Sequence, residues 1–406
     1  MKTLLLYTLS AGLAAIMACS NQGKTTSKNS VSHAQGTYGY DVAFLQQYDS
    51  VILLKDEESQ VVVSPKYQAK VFTSTADGAN GKSFGWVNYK AFTALPDAHM
   101  NAYGGENRFW LGPEGGPYSL YFSKGKEMVF ENWKTPPPID TEAWAVVNKS
   151  AQSVQLQKSM TLTNYAGTEM QLLADRTVTI LQRNEIAGKT GLSLSNPVKA
   201  VGYRTDNKIT NTGQQSWNEK TGAPCIWMLD MFTPSPSTVI VIPYKKEGTG
   251  KVATTDYFGE IASDRMKYKD SILLFRADGK SRGKLGLGPA RAKPVAGSYD
   301  AQNGVLTIAL FDVDASARYL NQEWSVTKPP FSGDAVNAYN DGPLQNGSQL
   351  GPFYEIESVS PAAFLTPGAS LSHQHTVLHF TGSEQHLEPI ARQFLGISLA
   401  DVRSAF

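Results

Sequence analysis

The chain has 406 residues, 41% hydrophobic and 10% aromatic, enough to bury a large core. Its 37 Lys and Arg against 36 Asp and Glu give a formal charge of +1, which falls to zero if Lys2 leaves with an export signal. A neutral chain without a basic run lacks the electrostatic footprint of a nucleic-acid binder, so no nucleic-acid partner is expected.

Residues 1–18 read as that signal. Lys2 supplies the positive start, Leu4 to Ala15 a mostly apolar stretch, and Ile16-Met17-Ala18-Cys19 a small-residue cleavage site ending in cysteine. The apolar run is shorter than the roughly 20 residues of a transmembrane helix. Cys19 is placed as in the lipobox of a bacterial lipoprotein, which it resembles. It would then become the acylated N-terminus and hold the protein on a membrane surface. Ser20, rather than Asp, after the cysteine resembles sorting to the outer membrane, on its periplasmic or its outer side. Residues 19–37 are polar and read as a flexible tether, leaving 38–406 as the folded domain. Cys225 then has no partner for an internal disulfide and is expected to be a buried, inert thiol beside Trp227.

Along the chain, Asp41–Tyr48 suits a short helix, and strands are expected at 50–55, 60–63, 143–147, 154–162, 176–181, 237–242, 271–275, 305–311 and 371–380. These segments are rich in Val, Ile, Leu and Thr and bounded by Gly, Pro, Asn or Asp. A second helix is expected at 387–394, where apolar residues recur at 387, 390, 394 and 395. No linker or internal repeat interrupts them. The expected fold is all-β, a single large antiparallel sandwich with few short helices.

Between strands lie polar segments rich in aromatic residues: 84–88, 103–121, 131–144 and 217–227. Flat apolar faces with a polar edge suit sugar rings, and they equally suit plugs at the ends of a sandwich. Three stretches carry a resemblance: 83–121, with GGENRFWLGPEGG, 207–244 and 353–380. Together they resemble a family of bacterial lipoproteins of unassigned function, the DUF6786 type, within the galactose mutarotase-like superfamily. The resemblance implies a β-supersandwich and carbohydrate recognition. The last stretch is also similar to the final catalytic block of aldose 1-epimerases. Ile356-Glu357-Ser358-Val359 stands for the acidic strand, Leu365-Thr366-Pro367-Gly368 for the turn and Thr376–Phe380 for the closing strand. This carries the general-base role onto Glu357, and Asn107-Arg108 corresponds to an Asn-Arg pair of the sugar-binding loop. The epimerase general acid, a histidine in mid-chain, has no counterpart in Asn207–Gly213.

From the residues themselves, alternation puts Phe353, Glu355 and Glu357 on one strand face. Carboxylates two residues apart are spaced for acid–base work on a glycosidic bond, or form an ordinary solvated edge. His99, before the Gly-rich stretch, is the candidate acid, since an imidazole titrates near neutrality. Arg108, Glu106, Trp110, Glu114, Asn88, Trp217 and Glu355 are the candidate sugar-binding residues. His373, His375 and His379 share a strand face, but their spacing fits no metal motif and they are expected at the surface. No metal and no cofactor is expected. Lys284, Arg291 and Lys293 form a basic cluster expected to brace loops or to meet an acidic glycan. The function expected is therefore a carbohydrate-active protein, possessing either epimerase-like acid–base chemistry on Glu357, glycoside cleavage by paired carboxylates, or glycan binding without catalysis.

Overall fold

Period-two burial dominates the chain. In Ser153–Thr163, Val154, Leu156, Met160 and Leu162 are buried while the residues between them are half-buried or exposed, the pattern of a strand covered on one face. In Cys225–Phe232 and Tyr354–Val359 every residue is buried, so those strands are covered on both faces. The computed structural model describes residues 33–406 except 194–196, 248–249 and 345. The signal segment, Cys19 and the tether up to residue 32 lie outside the described residues.

Helix α1 (Tyr38–Leu45) precedes a sheet of β1 (Ile52–Asp56), β2 (Ser59–Ser64) and β3 (Lys70–Thr75). Then come β4 (Arg108–Gly112), β5 (Ala145–Lys149), β6 (Ser153–Thr163), β7 (Glu169–Ile180), α2 (Arg183–Thr190), β8 (Lys199–Asn211), β9 (Cys225–Phe232) and β10 (Thr238–Pro243). The next strands are β11 (Met266–Lys269), β12 (Ile272–Arg276), β13 (Gly283–Leu287), β14 (Val295–Asp300) and β15 (Val305–Phe311). The last are β16 (Val336–Asn340), β17 (Tyr354–Val359) and β18 (Ser370–Thr381), followed by α3 (Glu384–Leu395) and α4 (Leu399–Arg403).

A ten-stranded sheet runs β11-β12-β10-β14-β15-β18-β8-β7-β6-β5, and a five-stranded sheet runs β13-β16-β17-β9-β4. Both are antiparallel throughout. The all-β antiparallel sandwich is the fold expected from the sequence. One face of the large sheet packs under α3 and α4 through Leu306, Ile308, Leu378 and Phe380 against Leu387, Ile390 and Leu395. Each such fully buried side chain contributes about 1.5–3 kcal/mol. The other face meets the small sheet.

That inner layer is not purely apolar. Arg176 on β7 donates to Asn207 Oδ1 at 3.0 Å and to Asn107 Oδ1 at 2.5 Å. Asn107 donates to Asp230 Oδ1 at 2.6 Å, and Asp230 Oδ2 lies 2.7 Å from His375 Nε2. Ser358 Oγ lies 2.8 Å from both His375 Nδ1 and His373 Nε2. Nearby, His379 bridges Thr307 at 2.8 Å and Glu106 at 3.1 Å. The three histidines are at most 1% exposed, which corrects the expectation of surface residues. Their strand face points at the small sheet, and a buried polar side chain persists there only because each finds a partner. Ser358, His375 and Asp230 also spell a nucleophilic triad, but they lie between the two sheets, tied into this interior network and turned away from the loops.

Burial first, and His375 beside it, hold the His373 pKa down from 6.5 to about 3. The folded protein therefore keeps this imidazole neutral while an unfolded chain protonates it. The stability it contributes is complete above about pH 6.5 and is lost as pH falls toward 3, with a slope of about 1.4 kcal/mol per pH unit. Urea unfolding of His373→Gln across this window is expected to show a shallower slope than wild type. An unchanged slope would remove His373 as the cause.

Candidate functional site

The face of the five-stranded sheet turned away from the large sheet carries the charged residues. Strand pairing sets them in a row: Glu357 on β17 lies across from Asn337 on β16 and Leu229 on β9, and Arg108 on β4 lies beyond Leu229. Two residues along, Glu355 pairs with Tyr339, which pairs with Lys284 on β13. Gly286, next to Asn337, leaves the room this face needs, since a Cβ there would stand 2.2 Å from Asp334 Oδ2.

Four charges close into two pairs. Lys284 Nζ is 3.0 Å from Glu357 Oε2, which also accepts from Trp227 Nε1 at 2.8 Å. Arg108 donates to Glu355. Glu357 is 0% exposed, while Arg108, Lys284 and Glu355 retain 5–7%. The solvated edge considered for the two carboxylates is thereby excluded. Both cations also sit over indoles, Lys284 at 4.6 Å from the Trp227 ring and Arg108 at 5.0 Å from Trp110. The loops above continue the aromatic cover. Trp110 meets Trp227 edge-on at 5.6 Å, Tyr121 lies against Trp110 and stacks on Trp133, and Trp133 stacks on Trp324. Gly115 lets two of these loops touch, because a Cβ there would lie 2.1 Å from Glu323 O.

Such burial shifts the titratable groups. Desolvation pushes the Glu355 carboxyl upward, Arg108 opposes it and Glu357 adds to it. Desolvation also raises Glu114, with Lys284 opposing and Glu357 adding. For Lys284, desolvation acts downward but Glu357 and Glu114 outweigh it, and the ammonium is held charged. Asp334 is pushed up to about 6 by burial, against the hydrogen bond from Tyr257 at 2.7 Å. Among the described residues, Glu357 Oε1 and Arg108 Nε on this face are buried without a hydrogen-bond partner.

The structure thus groups Glu357, Glu355, Arg108, Trp110 and Glu114 of the candidates. Glu106 is turned inward to Ser74 and His379. His99 Nδ1 lies 2.6 Å from Trp133 O and its ring stacks on Phe130; no contact joins it to Glu357. Asn88 donates to Ala102 O at 2.9 Å, and Trp217 is buried, its backbone N–H given to Leu365 O. Of the basic cluster, Arg291 braces Lys245 O and Lys246 O, while Lys284 joins the site. Asn337, Tyr257 and Asp334 escaped the sequence reading, which placed Lys284 only in a basic cluster and not with Glu357. The signal for Lys284 was its alternation between two glycines on a short strand, a weak one. Cys225 is buried, its thiol pushed up to about 12 by desolvation, as expected of an inert thiol. Among the described residues no three His, Cys, Asp or Glu side chains group as a metal site.

The model of a family of unknown function, DUF6786, matches residues 36–406. No curated protein matches the sequence. Among solved structures, the Slr1438 protein of Synechocystis sp. PCC 6803 is similar at a TM-score of 0.50 and 13% identity, over 82% of this chain and 96% of that one. A provisionally assigned aldose 1-epimerase of Escherichia coli K12 is similar at 0.49 and 12%, over 81% and 98%. A galactose mutarotase-like protein of Lactobacillus casei ATCC 334 follows at 0.48 and 10%, over 81% and 100%. At such identities the likeness speaks to the fold alone.

Removing one partner of a buried ion pair leaves the other charge uncompensated. Glu357→Ala is expected to lower stability by roughly 3–5 kcal/mol, and Glu357→Gln by less because its amide still meets Trp227 or Lys284. Chemical denaturation of the two variants checks this order, and a Glu357→Ala protein as stable as wild type would contradict the buried pair.

Proposed function

The chain belongs to the DUF6786 family of unknown function, and from its buried charged face we propose that it is a carbohydrate-active protein that binds a saccharide there and moves a proton on it. One observation carries this reading. Lys284 and Trp227 hold Glu357 through Oε2, and Oε1 is left buried without a partner. A carboxylate so fixed presents one lone pair to one hydroxyl, which is the geometry of a general base. The similarity of this strand and turn to the last catalytic block of aldose 1-epimerases points to the same residue.

The proton donor in this reading is Glu114. Desolvation and the Glu357 charge favour its protonated form, the form a general acid needs. In a mutarotation, Glu357 takes the proton of the anomeric hydroxyl while Glu114 protonates the ring oxygen. The ring then opens, and the reverse transfer closes it on either face. His99, engaged by Trp133 and Phe130, is not needed. The indoles around the pairs supply the apolar face that a sugar ring stacks on. The cell-envelope location and the acyl anchor on Cys19 belong to the same proposal.

Anomeric equilibration, followed by NMR over a panel of monosaccharides, tests the chemistry. Wild type is expected to accelerate it, and Glu357→Gln and Glu114→Gln each to lose about 10²- to 10⁴-fold while still binding sugar. The rate should fall as pH rises through the elevated Glu114 pKa, because the acid must carry its proton. A wild-type protein that binds sugars but equilibrates them no faster than buffer is a binding module, and the catalytic assignment is then wrong. For the anchor, Cys19→Ser is expected to move the protein from the membrane to the soluble fraction; an unchanged distribution rejects the anchor.

A further inference from the structure

We propose that Lys70 and Arg108 form an anion subsite beside Glu355, taking the carboxylate of a uronic-acid sugar; this rests on the saccharide reading above. The bridge between Val71 and Asn107 sets β3 against the start of β4, so Lys70 lies across from Arg108 on the same face as the two carboxylates. The two side chains run together over Gly105, where a Cβ would stand 3.2 Å from Lys70 Cδ and 3.5 Å from Arg108 Cγ.

Lys70 is 3% exposed, yet among the described residues its ammonium has neither an ion-pair nor a hydrogen-bond partner. It sits over the Tyr103 ring, 5.6 Å from the centroid. Arg108 gives one arm to Glu355 while its Nε is buried without a partner. A buried, unpartnered Arg108 Nε therefore lies beside an ammonium that no group of the described chain engages by hydrogen bond or ion pair. Glu355 is committed to Arg108 and Asp140 to Asn101, so no carboxylate of the chain is bonded to the Lys70 ammonium. Arg forks onto a planar carboxylate and Lys adds a point charge.

The groups facing Lys70 are Arg108, Asp140 and the Tyr103 ring. Asp140 is occupied by the backbone and side-chain N–H groups of Asn101. Burial first, then Arg108, pull the Lys70 amine down to about 7, with Asp140 opposing. A carboxylate bound between the two cations reverses this and holds the ammonium charged. Above pH 7, uronate binding must then take up a proton, whereas at pH 6 the amine already carries it.

Calorimetric titration of the mature chain with glucuronate, galacturonate, their neutral parent sugars and galactose 6-sulfate, in buffers of different ionisation enthalpy, tests this. A uronate is expected to bind about 10- to 100-fold tighter than its neutral parent. Binding should take up as much as about one proton at about pH 8 and almost none at about pH 6. Lys70→Met is expected to bring the ratio near one and abolish the uptake. Neutral sugars bound as tightly as uronates, with no proton uptake by wild type, overturn the subsite and leave the saccharide reading standing. Tighter binding of the 6-sulfate overturns the carboxylate assignment. Failure of every saccharide to bind overturns both proposals.

Discussion

The pair between Lys284 and Glu357 is the constraint on which the rest of the site depends. An ammonium and a carboxylate with 6% and 1% of their side-chain surfaces exposed exist as ions only because each neutralises the other, and because Trp227 serves both. Its indole N–H donates to the carboxylate and its ring lies under the ammonium. Desolvation of two ions consumes most of their attraction, so such a pair adds little net stability. What it provides is orientation. Glu357 is held at one rotamer with one oxygen committed and the other free.

The same strand ties this face to the interior. Alternation turns Glu357 toward the loops and Ser358 toward the large sheet, where Ser358 joins His373 and His375. The small sheet is thus polar on both faces, an arrangement that low dielectric makes costly unless every group is matched. The chain from Arg176 through Asn107, Asp230 and His375 to Ser358 provides most of that matching on the inner face, where Arg176 Nε and His373 Nδ1 stay unpartnered among the described residues. It also fixes the register of β9 and β17 against β8 and β18, since a one-residue slip would turn each polar side chain to the wrong face.

Several elements were legible from local pattern. The strands at 154–162, 305–311 and 371–380 and the helix at 387–394 stand close to β6, β15, β18 and α3; β6 and α3 show the period of one covered face, and β15 and most of β18, covered on both, show as short apolar runs. β8 was missed although Val201, Tyr203, Thr205, Asn207, Ile209 and Asn211 alternate inward; two of those inward residues are Asn, and the charged residues between them mask the period. β4 was hidden in a Gly-rich aromatic segment that reads as a loop. Helix α2 went unseen although Gln182 and Glu185 form a capping box and Gly191 ends it at φ +62°. The histidines misled for the opposite reason: a polar residue usually signals solvent, and here it signals a buried partner on another strand.

Sequence alone determined the all-β class, the pairing of Glu355 with Glu357 on one strand face, and the likeness to sugar-handling proteins, because periodicity and short motifs are local properties of a chain. It also singled out Arg108 and Glu114. Only the tertiary structure decided which cation meets which carboxylate, that Glu106 turns inward while Arg108 faces the loops, and that Lys70 and Lys284 belong to the site. Lys284 and Glu357 lie 73 residues apart, and Arg108 and Glu355 lie 247 apart. Strand order across the sheet brings such residues together, and no local pattern of residues encodes that order.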